Sequence, residues 1–450
     1  MRLFFALTLF LVPLCHSNAQ SETLSPKLKD SIFNYLDQSI GSKIASYQGE
    51  NKRKVSEFWE ERKEKIKDDI ENNAFIFDDA LNSELNKIIS QVYAANPEVD
   101  PSAFYFFVNR SPVPNAASYG NGSFSLNTGL FSLAENDDEL AFIICHEIAH
   151  YLLSHSDTAI DSHIESYESK ETRKKVNKIS NRDVGKFSKA MELLKDINYK
   201  LYKKSRSAEI EADSLGMELF KKTGYNPASA TSILAKLDFE KKAILNKYAP
   251  IKKHLHTNGY PFKDNWLKKE NNSLFDLEES SNDYSFDKDS TKTHPAIPKR
   301  IELLRTKIAS EDENSGVPQV IHMLKEISLA KTIEGAIENN QLDIALFYLL
   351  TTHESADDEK SRFYDQMALV LKKMYELKKE HSIGKYVAPI SPFSEEEELN
   401  KIKQFISNLE PKNIRKLGYW FCQENKDLFA NADIQKETHA YFKKLNPNID

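Results

Sequence analysis

Two histidines and a glutamate lie within five consecutive residues, His146 to His150, in a segment whose apolar side chains recur every three or four positions. This spacing predicts an α-helix over residues 139–155, and Asn136 lies where an N-cap is expected. Side chains four residues apart share one face of a helix, so His146 and His150 can bind one metal ion. Glu147 can then take a proton from an attacking water and pass it to a leaving amine. The segment therefore favours a helical fold with a hydrolytic metal site.

A third metal ligand is needed, because a buried helix can also carry two histidines that only form hydrogen bonds. A catalytic zinc keeps three protein ligands and leaves the fourth position to water. Glu209 and Asp213 lie four residues apart in a second predicted helix, which begins at Ser205 and ends at Gly224. We predict that Glu209 is the third ligand and that Asp213 accepts the outer N–H of a ligand histidine. Such a ligand set favours Zn²⁺, one ion per chain, over harder ions.

These residues and their order resemble the gluzincin peptidases. That family includes the CAAX-prenyl proteases, the HtpX-type and Oma-type membrane proteases, and soluble periplasmic relatives of the BepA type. The resemblance covers roughly residues 104 to 306 and is closest to the BepA-like members. The motifs that carry it, besides the histidine segment, are Pro114-Asn115-Ala116, Thr128-Gly129-Leu130-Phe131, Asp138-Glu139-Leu140-Ala141, Ser205-Arg206, Glu209-Ile210-Glu211-Ala212-Asp213, Thr293-His294-Pro295 and Arg300-Ile301.

The resemblance implies the same site that the spacing predicts. It assigns the metal to His146, His150 and Glu209, the role of general base to Glu147, and an orienting role in catalysis to Asp213. One departure is Ala117-Ser118 after Asn115-Ala116, where the family usually has a phenylalanine followed by a small residue. The metal assignment is unaffected, but the shape of the substrate pocket is left open.

Two short segments upstream of the histidine segment predict strands of a small sheet. Residues 104–108 are aromatic and β-branched, and residues 122–127 alternate small polar with apolar side chains. If the second strand is an edge strand near the metal, an extended peptide can pair with its backbone. Asn115, Ser123 and Ser125 are therefore candidate substrate-binding residues. The alternative is an ordinary strand beside the core.

His294 precedes Pro295 and a predicted helix that begins near Ala296. Three roles are open for it. The side chain can be a structural cap, it can stabilise a developing oxyanion, or it can reach the zinc as a fourth ligand and hold the enzyme inactive until its loop moves. A His294→Ala variant separates the last two, because loss of activity indicates oxyanion stabilisation and gain indicates a latch.

The first residues of the chain have the pattern of a secretory signal peptide. Arg2 is followed by an apolar run over residues 3–14 and by Ser17-Asn18-Ala19, so we expect cleavage after Ala19. Cys15 follows a leucine where a lipoprotein signal needs a small residue, which argues against lipid anchoring. Apart from this run, the sequence has no apolar segment near the ~20 residues of a membrane span. We therefore expect an exported protein without a transmembrane segment after processing.

Cysteine content and net charge indicate the cellular compartment and the kind of partner. Only Cys145 and Cys422 remain after the predicted cleavage, and export without a disulfide framework indicates a bacterial periplasm. The net charge of −7 gives no indication of nucleic acid binding. The expected partners are polypeptide substrates.

Helical patterns dominate the chain, so the predicted fold class is mainly α with a small β-sheet: an α+β gluzincin catalytic domain between helical N-terminal and C-terminal regions. The predicted divisions are a signal peptide (1–19), an N-terminal helical region (20–98), the metallopeptidase domain (99–306) and a C-terminal helical domain (307–450). Residues 338–346 resemble the turn of a tetratricopeptide hairpin, which predicts divergent hairpins of that kind without a regular repeat. This domain either binds a protein partner or braces the catalytic domain.

The sequence thus predicts a periplasmic zinc endopeptidase, and the family resemblance suggests misfolded or misassembled envelope proteins as its substrates. The alternative is a chaperone or assembly factor whose metal site is latched or mainly structural. A Glu147→Gln variant separates the two, because a chaperone tolerates the loss of a general base and a protease does not.

Overall fold

The computed structural model describes residues 24–180, 186–239, 244–268, 297–308, 319–353, 359–390 and 396–447. Within these ranges the helices are α1 (Pro26–Ser46), α2 (Lys52–Glu71), α3 (Asp79–Ala95), α4 (Thr128–Leu133), α5 (Asp137–Leu152), α6 (His155–Glu168), α7 (Lys170–Ser180), α8 (Lys186–Lys221), α9 (Ser229–Phe239), α10 (Ile251–Leu255), α11 (Ile297–Arg305), α12 (Ile321–Glu338), α13 (Leu342–Thr352), α14 (Glu359–Lys379), α15 (Glu397–Asn408), α16 (Pro411–Glu424) and α17 (Ala432–Leu445). The strands are β1 (Phe75–Ile76), β2 (Tyr105–Asn109), β3 (Ala116–Ser118) and β4 (Ser123–Asn127).

The strands form one mixed sheet in the order β1-β2-β4-β3. β2 and β4 are parallel, whereas β1 pairs with β2 and β3 pairs with β4 in antiparallel fashion. The two strands predicted from sequence correspond to β2 and β4. The predicted fold class, mainly α with a small sheet, is confirmed.

The sheet is buried on both faces. Alternate side chains of a strand point to opposite sides, and each set packs against helices. On one face, Phe107 stacks on Phe75 with ring centroids 4.7 Å apart, and both pack against α1 and α2. On the other face, Phe106 and Phe124 stack at 4.6 Å and join a larger core with α3, α5, α8 and α9. We call this larger cluster the sheet core.

α5 is the central helix of the sheet core, and every residue from Asp137 to Ala149 is buried. It ends at Leu152 and not at residue 155 as predicted, because Ser154 adopts a left-handed conformation (φ 54°) and α6 begins at His155. The second ligand helix is longer than predicted. α8 begins at Lys186 and not at Ser205, because no glycine or proline interrupts the helical residues before Ser205.

A second hydrophobic cluster, the C-terminal core, lies among α12 to α17. Residues 245–266, which the sequence analysis placed in the metallopeptidase domain, pack into this core: Phe262 stacks on Phe405 at 6.0 Å, and Trp266 is buried. α12 and α13 pack against each other across a three-residue turn in which Asn340 has a positive φ of 61°. A helical hairpin therefore exists where it was predicted, and its kinship to tetratricopeptide repeats stays a prediction.

Several predictions concern residues outside the described ranges. The signal peptide, Cys15, Ala19 and His294 all lie there. Among the described residues, Cys145 and Cys422 are buried and free. Within the same part of the chain, no helix combines the length and the apolar composition that crossing a membrane requires.

Candidate metal centre

α5 places its two histidines on one side, as the spacing predicts, with the Nε2 atoms of His146 and His150 3.0 Å apart. The predicted cap is present, since the side chain of Asn136 accepts the backbone N–H of Glu139 at 2.9 Å. Glu139 in turn accepts hydrogen bonds from Ser232 and Lys236 of α9, both at 2.6 Å. These contacts fix the start of the helix that carries the site.

α8 packs across α5 and supplies Glu209. The Oε2 atom of Glu209 lies 3.6 Å from Nε2 of His146, and its Oε1 atom lies 3.5 Å from Nε2 of His150. The close approach depends on Gly216, where an added Cβ would lie 3.0 Å from the Cα of His146. All three ligand side chains are at most 15% exposed.

These three side chains fit one zinc ion. Around a tetrahedral zinc with ligand distances of roughly 2.0–2.1 Å, ligand atoms are separated by about 3.3 Å. The Nε2 atoms of His146 and His150 are 3.0 Å apart, and a different oxygen of Glu209 approaches each ring, at 3.6 Å from His146 and 3.5 Å from His150. These residues are also the one group of histidine, cysteine or acidic side chains within the described ranges that could hold a metal ion.

Asp213 lies one turn beyond Glu209 on α8 and binds the opposite side of His146. Its Oδ1 is 3.0 Å from Nδ1 of His146. Arg300 of α11 then holds Asp213 with two hydrogen bonds of 2.6 and 2.7 Å, and its third nitrogen lies 2.9 Å from Glu209. One buried guanidinium therefore positions both carboxylates.

These contacts set the charges of the metal-free site. Burial lowers the pKa of His146, but hydrogen bonds to Asp213 and Glu209 outweigh burial and raise it to about 10. Burial raises the pKa of Asp213, but hydrogen bonds from Arg300 and His146 outweigh it and hold that pKa below its ordinary value. Without metal, His146 is thus an imidazolium beside two carboxylates, and metal binding at its Nε2 releases a proton.

Glu147 follows the ligand His146 directly on α5, and its side chain is 6% exposed. Two further groups have no role in the sequence analysis. Arg300 belongs to a motif of the family resemblance but was given no contact, and His155 lies with its Nδ1 2.9 Å from Nδ1 of His150. His155 lies five residues after His150, which is not a same-face spacing on a helix, so no signal in the sequence indicated its role.

The substrate-binding assignment of Ser123 and Ser125 is wrong. β4 has a strand on each side, and these serines are 0% and 5% exposed, so β4 cannot pair with a substrate. β1 and β3 are the edge strands, and β3 packs against α5. Asn115 is exposed at the start of β3, where its carbonyl accepts the N–H of Asn127. The candidate substrate surface therefore moves from β4 to β3.

A helix with the His-Glu-x-x-His pattern that receives a glutamate from a neighbouring helix, beside a small sheet, defines the class of zinc metallopeptidases with two histidine ligands and one glutamate. Comparison with known families agrees. A sequence model of peptidase family M48 matches residues 79–308, which is half of the chain, and the chain belongs to this family. The match begins at α3, which the sequence analysis had placed in the N-terminal region. A comparison with curated proteins gave no significant match.

Proposed function

We propose that this chain is an endopeptidase that holds one zinc ion through His146, His150 and Glu209. The convergence of these three donor atoms, next to a glutamate on the same helix, carries the proposal. When bound, zinc supplies a Lewis acid that polarises the scissile carbonyl and acidifies water. Glu147 takes the proton of the attacking water and delivers it to the leaving amine. Asp213 keeps the ring of His146 oriented throughout.

The edge of β3 suggests how a polypeptide is held. Tyr119 donates to the carbonyl of Ser123, and Asn127 donates to the carbonyl of Asn115, so these residue pairs are hydrogen-bonded. Hydrogen-bonded pairs alternate along an antiparallel ladder, and Ala116 and Ser118 therefore direct their N–H and C=O groups away from β4. An extended substrate can bind these groups through its own backbone, with little dependence on sequence.

Strand pairing of this kind engages the interior of a polypeptide, which supports endopeptidase activity. The test uses peptides of about twelve residues, blocked by acetylation and amidation, with mass spectrometry of the products. We expect internal cleavage of blocked peptides. Cleavage that requires a free terminus would overturn the proposal and indicate an exopeptidase.

For the biological role, we propose quality control of envelope proteins in a bacterial periplasm. The signal-like N-terminus supports the compartment, and the C-terminal hairpins support recognition of a protein partner. The second candidate is a chaperone, favoured by the large C-terminal core that is separate from the sheet core. Complementation of a deletion strain by Glu147→Gln distinguishes them, because only a chaperone retains function.

A further inference from the structure

The two ligand histidines have different partners at Nδ1, the ring nitrogen that faces away from the metal site. His146 faces a carboxylate, since its Nδ1 lies 3.0 Å from Asp213. His150 faces another imidazole, since its Nδ1 lies 2.9 Å from Nδ1 of His155. His155 is 12% exposed and lies 3.4 Å, through Nε2, from Oε2 of Glu211. The series Glu211, His155, His150 thus leads from the surface of α8 to the metal centre.

Proton counting fixes the direction of these hydrogen bonds. A neutral imidazole that binds metal through Nε2 carries its one proton on Nδ1, so His150 donates to His155. His155 must then accept at Nδ1 and carry its own proton on Nε2, which faces the carboxylate of Glu211. Both contacts are satisfied by a single set of tautomers, and that set leaves the Nε2 lone pair of His150 free for zinc.

The backbone is built to place His155 in this position. Ser154 adopts the left-handed conformation (φ 54°, ψ 35°), which a residue other than glycine adopts only at an energetic cost, and this turn brings the first residue of α6 over α5. α6 is held by α1, where Lys43 contacts Asp157 at 2.7 Å, and by Lys204 of α8, which donates to a serine of α6. The position of His155 is therefore fixed from both sides.

We propose that His155 is a positioning residue that accepts the Nδ1–H of His150, selects its metal-binding tautomer and orients its ring, with Glu211 holding His155 in turn. The inference rests on the proposed zinc site. It adds a support for the second ligand that is independent of Asp213 and Arg300. Such partners of ligand histidines typically change metal affinity by about 10–100-fold.

The test is a measurement of zinc affinity by competition with a chromophoric chelator, using the full chain. His155→Leu removes the acceptor, and we expect affinity to fall about 10–100-fold. His155→Asn keeps a carbonyl oxygen near the position of Nδ1 and should retain affinity to within about threefold. His163→Leu is the matched control, because His163 is exposed two turns further along α6 and should leave affinity unchanged.

Unfolding of the metal-free variants in denaturant separates this role from general stabilisation, since a positioning role predicts closely similar midpoints. Wild-type affinity in His155→Leu, or equal losses in the Leu and Asn variants, would overturn the inference. Peptide cleavage is not the readout. A chain that binds zinc but cleaves no peptide would therefore refute the proposed function and leave this result standing.

Discussion

At the residue scale, the centre depends on a few buried charges whose partners come from three helices. Spacing alone indicated His146, His150 and Glu209, because positions four apart on a helix share a face. The roles of Arg300 and His155 could not be predicted in this way. They depend on the approach of α11 to α8 and on a left-handed turn at Ser154, and neither leaves a periodic pattern in the sequence.

Arg300→Ala should destabilise the metal-free protein by about 3–5 kcal/mol, because two buried carboxylates lose the guanidinium that compensates them. Arg300→Lys should recover only part of this loss, since an ammonium cannot form the same paired hydrogen bonds. Chemical denaturation gives the free energy of unfolding. Arg305→Ala, at an exposed position on the same helix, is the control and should be neutral. Equal effects of the two alanine variants would contradict this assignment.

Zinc affinity should rise with pH, because the raised pKa of His146, about 10, makes the ion compete with a proton. Below that pKa, each unit of pH should strengthen binding about tenfold, as expected for release of one proton. Asp213→Asn removes a contact that raises the pKa of His146, so zinc affinity should depend less steeply on pH in this variant. Competition titrations from about pH 6 to pH 8 measure both. An affinity independent of pH would exclude a protonated His146.

At the scale of elements, helices were easier to predict than the sheet. α3 and α13 are amphipathic or strongly apolar segments with clear ends, so local pattern specifies them. β3 consists of Ala116, Ala117 and Ser118, which have little strand preference, and it is a strand because β4 pairs with it. Local sequence could not reveal that pairing, which is why the sequence left open whether β4 is an edge strand.

Ser118→Pro tests the edge of β3. Proline removes an N–H that points away from β4, so the loss of one substrate hydrogen bond should lower kcat/KM for long peptides about five- to tenfold. Unfolding free energy should change little, because the ladder with β4 does not use that N–H. Ser118→Ala controls for the contact of the Ser118 hydroxyl with the N–H of Gly120 and should retain activity. Unchanged kcat/KM in the proline variant would exclude this edge as the binding surface.

At the scale of the whole molecule, α12 joins the two cores. Its first half contributes Ile321 and Leu324 to the sheet core, and its second half contributes Ile333 and Ile337 to the C-terminal core. The start of α12 is held by Asp137 of α5, whose carboxylate accepts the N–H groups of Val320 and Ile321 at 2.8 and 2.7 Å. The metal-binding helix is thus connected directly to the helix that both cores share.

Asp137→Ala should lower the free energy of unfolding by about 2–3 kcal/mol, because it leaves the N–H groups of Val320 and of the buried Ile321 without their acceptor. Asp79→Ala, an exposed position in the first turn of α3, is the control and should cost much less. Denaturant titration followed by circular dichroism measures both. A loss no greater than that of the control would show that this connection contributes little to stability.

The most direct test of the proposed zinc peptidase site compares the chain with its Glu147→Gln variant, measuring bound zinc and casein cleavage on the same samples. We expect about one zinc per chain in both proteins, cleavage by the parent chain that a chelator abolishes, and loss of cleavage in the variant by a factor of at least about 10². Equal cleavage by the two proteins would contradict the role of Glu147, and bound zinc without any cleavage would contradict the peptidase.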